Sequence, residues 1–209
     1  MAQESVSNLI SQYANLFAQQ IKQTGLLQWI AVLFGVAEVL LARVNNILLY
    51  PAGIIATILS AYLLIEVKLF AEAALNIYYL VMSIYGWLYW FRRKGNPVVP
   101  VSHATKGEWV VTLAIVCGGW AILYFLLVSF TTSDVPVWDA WVSSTAWAGM
   151  WLLAKRKVEN WLLLNLSNLF AVPLLFYKGL PMFAVLTIFL FVIALIGYSD
   201  WKKLAKSIR

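Results

Sequence analysis

The sequence predicts an all-α membrane protein of seven transmembrane helices, and three observations carry that prediction. Apolar and aromatic residues make up 63% of the 209 positions and charged residues only 11%, against ~45–50% and ~25% in soluble domains. Apolar stretches of about twenty residues, the length that crosses a ~30 Å hydrocarbon core, recur seven times. The loops left between them are too short for a separate catalytic domain. Finally, the basic residues segregate to one side of those spans. One Cys (Cys117) and one His (His103) exclude a disulfide framework and a zinc cluster built from those ligands.

The first 24 residues do not read as a signal peptide, since they carry Glu4, no basic residue before Lys22 and no small-residue cleavage site. Val6, Leu9, Ile10, Tyr13, Phe17 and Ile21 recur at helical spacing against a Gln/Ser/Asn face. That pattern suits a helix lying on the bilayer or packed on the bundle. The spans follow at 26–42, 44–65, 69–91, 108–131, 135–154, 159–178 and 180–200. Trp87-Leu88-Tyr89-Trp90 before Arg92-Arg93-Lys94, and Tyr198 and Trp201 before Lys202-Lys203, are interfacial aromatics beside basic anchors.

Charge decides the orientation. One side holds Arg43, Arg92, Arg93, Lys94, Lys106, Lys155, Arg156, Lys157, Lys202, Lys203, Lys206 and Arg209; the other holds only Lys22, Lys68 and Lys178. The positive-inside rule puts the twelve in the cytoplasm, hence the N-terminus outside and the C-terminus inside. The membrane expected is therefore one that bounds the cytoplasm. An even number of spans would spoil the separation.

The chain also repeats itself. Gly86-Trp87-Leu88-Tyr89-Trp90 ends span three as Gly197-Tyr198-Ser199-Asp200-Trp201 ends span seven, and Val44-Asn45-Asn46 opens span two as Val158-Glu159-Asn160 opens span six. The expected layout is an N-terminal segment over 1–25, a first three-helix repeat over 26–91, a basic loop and linker helix over 92–134, and a second repeat with a basic tail over 135–209. Parallel repeats of this kind bind substrate near the midplane, at their interface.

Polar stripes inside the spans mark the expected site. At about 100° per residue, Glu72, Asn76, Tyr79, Ser83, Trp87 and Trp90 share one face of span three. Asn46, Tyr50, Gly53, Thr57 and Ser60 share one face of span two, and Trp161, Asn165 and Asn168 one face of span six, with Asn160 at its edge. Such groups avoid lipid and turn into the bundle, either to bond other helices or to line a cavity. Aromatic faces attract flat rings and cations, and asparagines serve amides and hydroxyls. Glu38 and Glu72 lie at or near membrane depth and could stabilise a cation. The expected ligand is a small aromatic, polar, possibly cationic molecule.

Other chemistries are thin. His103 sits in a polar loop, expected to lie away from every carboxylate, and Glu159 suits the N-terminus of span six. No HExxH, Walker loop or nucleophile elbow occurs, and span seven has no Lys for a retinal. Neither an enzyme nor a nucleic-acid binder is expected, and no cofactor. Without a Walker loop or a broken helix rich in carboxylates, the reading is a uniporter; a non-transporting scaffold is the reading from another class.

The run Ala73-Ala74-Leu75-Asn76-Ile77-Tyr78-Tyr79-Leu80-Val81-Met82-Ser83-Ile84-Tyr85-Gly86-Trp87-Leu88-Tyr89-Trp90, the segment Glu159-Asn160-Trp161 through Tyr177-Lys178-Gly179-Leu180, and Gly197-Tyr198…Trp201-Lys202-Lys203 closely resemble the PnuC family. These are bacterial vitamin-precursor transporters typified by nicotinamide riboside uptake. The resemblance implies a 3+1+3 arrangement like that of SWEET sugar transporters, a homotrimer, and facilitated diffusion with a cytoplasmic kinase trapping the product. It carries site roles to Asn76, Trp87, Trp90, Trp161 and Asn168. Leu164 departs from the pattern, since the family often has a second tryptophan there. Relatives carry thiamine or riboflavin, so thiamine is the alternative substrate.

Overall fold

The structure is a computed structural model that describes residues 2–66, 70–91 and 100–207, with side chains described over 10–66, 76–91 and 100–207. Lys68, Arg92, Arg93, Lys94 and Arg209 of the charge reading lie outside the described residues, as does the Glu72 side chain. Eight helices are described: α1 (Ala2–Gln23), α2 (Leu26–Arg43), α3 (Leu49–Glu66), α4 (Phe70–Phe91), α5 (Lys106–Phe130), α6 (Pro136–Ala154), α7 (Asn160–Tyr177) and α8 (Pro181–Ser207). Five of them, α2, α3, α5, α7 and α8, are long and apolar enough to cross a membrane.

Local chemistry sets the boundaries. Thr105 opens α5 with a reciprocal cap: its hydroxyl accepts from Glu108 N at 3.3 Å while the Glu108 carboxylate accepts from Thr105 N at 2.9 Å. Pro136 and Pro181 stand at first helical positions, where a missing N–H costs nothing. Gly179 (φ 67°) makes the turn from α7 into α8. α1 packs on that corner. Gln20 donates to Gly179 O at 2.8 Å and accepts from Met182 N at 3.1 Å, and Tyr13 meets the Phe176 ring edge-on at 5.4 Å.

The remaining helices pack as a ring. α3 lies between α2 and α4, α7 lies between α6 and α8, and the two triplets meet where α4 touches α6 and α8 touches α2. α5 lies against the outside of α6. All described basic residues except Lys22 and Lys178 gather at one end of this ring, called here the basic end.

Backbone geometry recurs at a fixed spacing along the chain, in a register other than the one matched from the span openings. Asn45 (φ 55°) and Arg156 (φ 56°) both take the left-handed conformation after a helix end. Asn45 N bonds Ala42 O and Asn46 N bonds Leu41 O; Arg156 N bonds Leu153 O and Lys157 N bonds Leu152 O, all at 2.9 Å. Each is a Schellman closure, and the two stand 111 positions apart (45 and 156). The same shift relates Gly86 to Gly197 and Trp90 to Trp201. Asn45-Asn46 therefore corresponds to Arg156-Lys157, not to Glu159-Asn160 as the matching of span openings suggested. Residues 44–48 belong to this closure, which is why α3 starts at Leu49 and not at 44.

A left-handed residue other than Gly costs ~1–2 kcal/mol, and Asn bears the conformation better than most. Asn45→Ala is expected to lower stability by roughly 1 kcal/mol, with Asn45→Gly tolerated. Thermal unfolding in detergent checks both.

Candidate functional site

At the basic end the two repeats cap each other. The last four carbonyls of a helix have no partner within it. Trp90, from α4 of the first repeat, donates its indole N–H to Ala154 O at the end of α6, 3.1 Å away. Trp201, from α8 of the second, donates to Ala42 O at 3.0 Å and Arg43 O at 3.1 Å, at the end of α2. Arg43 and Ala154 are also 111 positions apart, so the exchange is reciprocal.

A second pair of contacts obeys the same shift. The Tyr50 ring lies on Gly86 and meets Trp90 edge-on at 5.1 Å; the Trp161 ring lies on Gly197 and meets Trp201 edge-on at 5.7 Å. A Cβ at either glycine would land on ring atoms, so only glycine admits this approach. The Arg156 guanidinium covers the Trp90 ring at 3.7 Å, and Arg43 pairs with Asp200 at 2.9 Å. Tyr50, Trp90, Trp161, Trp201, Leu49, Val158 and Ala194 form one continuous core that joins the repeats here.

One turn further along α3 and α7 the repeats differ. In the first, the Glu38 carboxyl of α2 lies against Gly53 of α3; in the second, Leu164 of α7 lies against Gly149 of α6. Glu38 and Gly149 correspond under the 111-residue shift, as do Gly53 and Leu164. The same crossing is thus filled from opposite sides, by an acid in one repeat and an aliphatic chain in the other.

Around these crossings, buried polar atoms lack internal partners. Tyr50 Oη, Ser83 Oγ, Asn160 Oδ1, Trp161 Nε1 and Asn165 Oδ1 make no hydrogen bond among the described residues. A stranded buried polar group costs ~1–3 kcal/mol, and buried polar groups in native proteins are overwhelmingly paired. Donors and acceptors concentrated beside aromatic rings can hold a polar aromatic ligand.

The predicted residues distribute as follows. Ser83 (1% exposed), Trp161 (1%) and Asn165 (9%) are buried in the bundle. Asn76, Tyr79 and Asn168 are partly buried, with Tyr79 and Tyr50 both within electrostatic reach of Glu38. Trp90 is buried, but its N–H and one face are engaged in the lock. Trp87 is 40% exposed and stands at the outer edge of the α4 stripe, beside the exposed Ile84 and Leu88. Tyr50, from the stripe on span two, and Asn160, placed at the edge of the span-six stripe, join the buried polar set.

Two further features escaped the sequence. Tyr78 stacks on Trp147 at 4.4 Å and donates to its carbonyl at 3.0 Å, while Tyr85 lies over Trp151 and Lys155 sits 4.7 Å from the Tyr89 ring. This ladder forms the α4–α6 seam. His103 is not isolated, since its Nδ1 lies 2.7 Å from Glu159 Oε1, and Ala104 N donates to Glu159 Oε2 at 2.8 Å. The Ser102–Lys157 bridge folds that loop back onto the start of α7, beyond the reach of sequence distance. Among the described residues no cluster of acids, His and Cys could hold a metal.

The family model described as nicotinamide mononucleotide transporter matches residues 25–203. The chain belongs to this family. It is therefore a multi-pass transporter of the inner membrane and not an enzyme. Among curated relatives, the nicotinamide riboside transporters PnuC of Escherichia coli (strain K12) and Shigella flexneri are each 23% identical over 206 residues, covering 84% of this chain and 85% of theirs. A solved structure, the crystal structure of the vitamin B3 transporter PnuC, superposes with a TM-score of 0.70 at 22% identity. It covers 95% of this chain and 90% of that one, and it shows the shared fold. The family resemblance read from the YGWxxW segment is borne out.

Proposed function

We propose that this protein carries nicotinamide riboside into the cytoplasm by facilitated diffusion. The observation that carries the reading is the set of buried polar atoms without partners among the described residues, Tyr50 Oη and Ser83 Oγ from one triplet of helices and Trp161 Nε1 and Asn165 Oδ1 from the other. Relatives that match most of the chain are nicotinamide riboside transporters, which supports the same substrate. The proposed site comprises Glu72, Asn76, Tyr79, Ser83, Trp87, Trp90, Trp161, Asn165 and Asn168. A cytoplasmic kinase would trap the product, and a homotrimer is the proposed assembly.

The proposed topology has seven spans, α2 to α8, in a 3+1+3 SWEET-like order with the N-terminus outside and the C-terminus inside. α4 and α6, at 22 and 19 residues, have spanning length and complete the ring, and the basic end supports the orientation. The proposed divisions remain 1–25, 26–91, 92–134 and 135–209. A tag after Arg209 is expected to be reachable only from the cytoplasm, and a cysteine near Ser5 only from outside. Both labels on one side would refute the span count.

Leu164 favours a second reading. It fills the crossing at Gly149 with an aliphatic chain, at a position where the family resemblance implies a second tryptophan, and a site with fewer rings suits thiamine as well. A thermal-shift panel of nicotinamide riboside, thiamine and riboflavin separates these, because a ligand in excess of its Kd stabilises the fold by mass action. Stabilisation by nicotinamide riboside is expected, and silence from all three would return the scaffold reading. In proteoliposomes without a kinase, uptake is expected to stop when inside and outside concentrations match. Accumulation driven by a sodium or proton gradient would overturn the uniport.

A further inference from the structure

We infer that Glu38 is the specificity-determining residue of this site, a counter-ion whose carboxylate selects a cationic aromatic ring over its neutral counterpart. The inference rests on the transport reading above and deepens it. Three observations meet at this side chain. Its carboxyl group lies against Gly53, the only residue type that leaves room for it there, since a Cβ would land on the carboxyl atoms. The corresponding crossing of the second repeat holds Leu164 on Gly149, so the acid is not demanded by the packing of the repeat. No ion pair or hydrogen bond among the described residues engages Glu38, and no basic side chain acts on it.

Its neighbours are those of a ligand site. Tyr50 precedes Gly53 by one turn of α3, and its buried hydroxyl has no hydrogen-bond partner among the described residues. Tyr79 of α4 lies within electrostatic reach of the same carboxyl. Arg156 acts on Tyr50, but its guanidinium covers the Trp90 ring at the basic end. A carboxylate held inside a bundle is costly unless a positive charge joins it, and such groups mark substrate or ion pathways. A pyridinium or thiazolium ring supplies that charge on a flat face, which two tyrosines can flank.

The test compares nicotinamide riboside with its reduced, uncharged dihydropyridine form, which keeps the ribose and carboxamide. Binding to the purified full chain is measured by calorimetry for the parent, Glu38→Gln and Gly53→Ala. The parent is expected to prefer the cation. Glu38→Gln, which keeps the shape and removes the charge, is expected to weaken the cation about tenfold, equivalent to ~1.4 kcal/mol, and to leave the neutral form unchanged. Gly53→Ala displaces the carboxyl and is expected to produce the same selective loss, which guards against a glutamine variant that fails to fold. Equal weakening of both forms, or no change in either, would overturn the inference while leaving transport intact. Proton-driven accumulation by the parent that Glu38→Gln abolishes would also overturn it and make Glu38 a proton carrier. A parent that binds neither form removes the transport reading itself, and this inference with it.

Discussion

Replacing Trp201 by alanine is expected to destabilise the folded protein by about 3–5 kcal/mol, the range for removing a large buried aromatic. Trp201 is 0% exposed and its ring supports Trp161 edge-on, so little can collapse into the space it leaves. The indole N–H also serves two carbonyls at the end of α2, and their loss strands groups buried between the repeats. Trp201→Phe separates these contributions. It keeps most of the ring packing and removes the donor, so a smaller loss of ~1–3 kcal/mol is expected. Trp90→Phe removes the matching donor to Ala154 and is expected to fall in the same range. Thermal unfolding in detergent reads all three. Because the two indoles tie opposite repeats, the double phenylalanine variant is expected to loosen the basic end and raise the rate of substrate exchange through it. Unfolding of Trp201→Ala at the parent temperature would mean that the reciprocal caps do not hold the repeats together.

Much of this was legible because membrane burial writes itself into composition. The helix ends predicted at 91 and 154 coincide with α4 and α6, and those predicted at 42 and 131 lie within one residue of the ends of α2 and α5. Interfacial aromatics and basic anchors mark where apolar stretches must stop. The repeat was visible through Gly86…Trp90 and Gly197…Trp201, whose spacing is imposed by a ring lying on a glycine one turn before a tryptophan. Its register at the start of the second helices was misread by three residues. Asn45 and Arg156 share only a backbone angle, and no side-chain similarity betrays it. Trp201 read as an interfacial anchor because the sequence cannot reveal that its N–H reaches a helix from the other repeat. His103 found Glu159 across the chain for the same reason: the Ser102–Lys157 bridge is a tertiary fact. Helical spacing identified the polar stripes but not which edge of each turns inward, which is how Trp87, 40% exposed, came to share a stripe with the buried Ser83.

The asparagines distinguish a binding surface from helix packing. Asn165 is 9% exposed and its Oδ1 makes no hydrogen bond among the described residues, so Asn165→Ala removes an acceptor that engages none of them. Its folding stability is expected to stay within about 1 kcal/mol of the parent, because no internal bond to that oxygen is lost. Its affinity for nicotinamide riboside is expected to fall about tenfold, since stranding a ligand's polar group costs ~1–3 kcal/mol and ~1.4 kcal/mol is a factor of ten. Asn168→Ala and Asn76→Ala are expected to weaken binding in the same direction, from the α7 and α4 sides of the site. Tyr78→Ala supplies the contrast. It loses a stacked ring and a hydrogen bond to Trp147 O at the α4–α6 seam, so its melting temperature is expected to drop while the folded fraction binds as the parent does. Calorimetry paired with thermal unfolding on each variant reads both quantities. Unchanged affinity in folded Asn165→Ala, Asn168→Ala and Asn76→Ala together would make the stripes a packing device and move the site elsewhere in the ring.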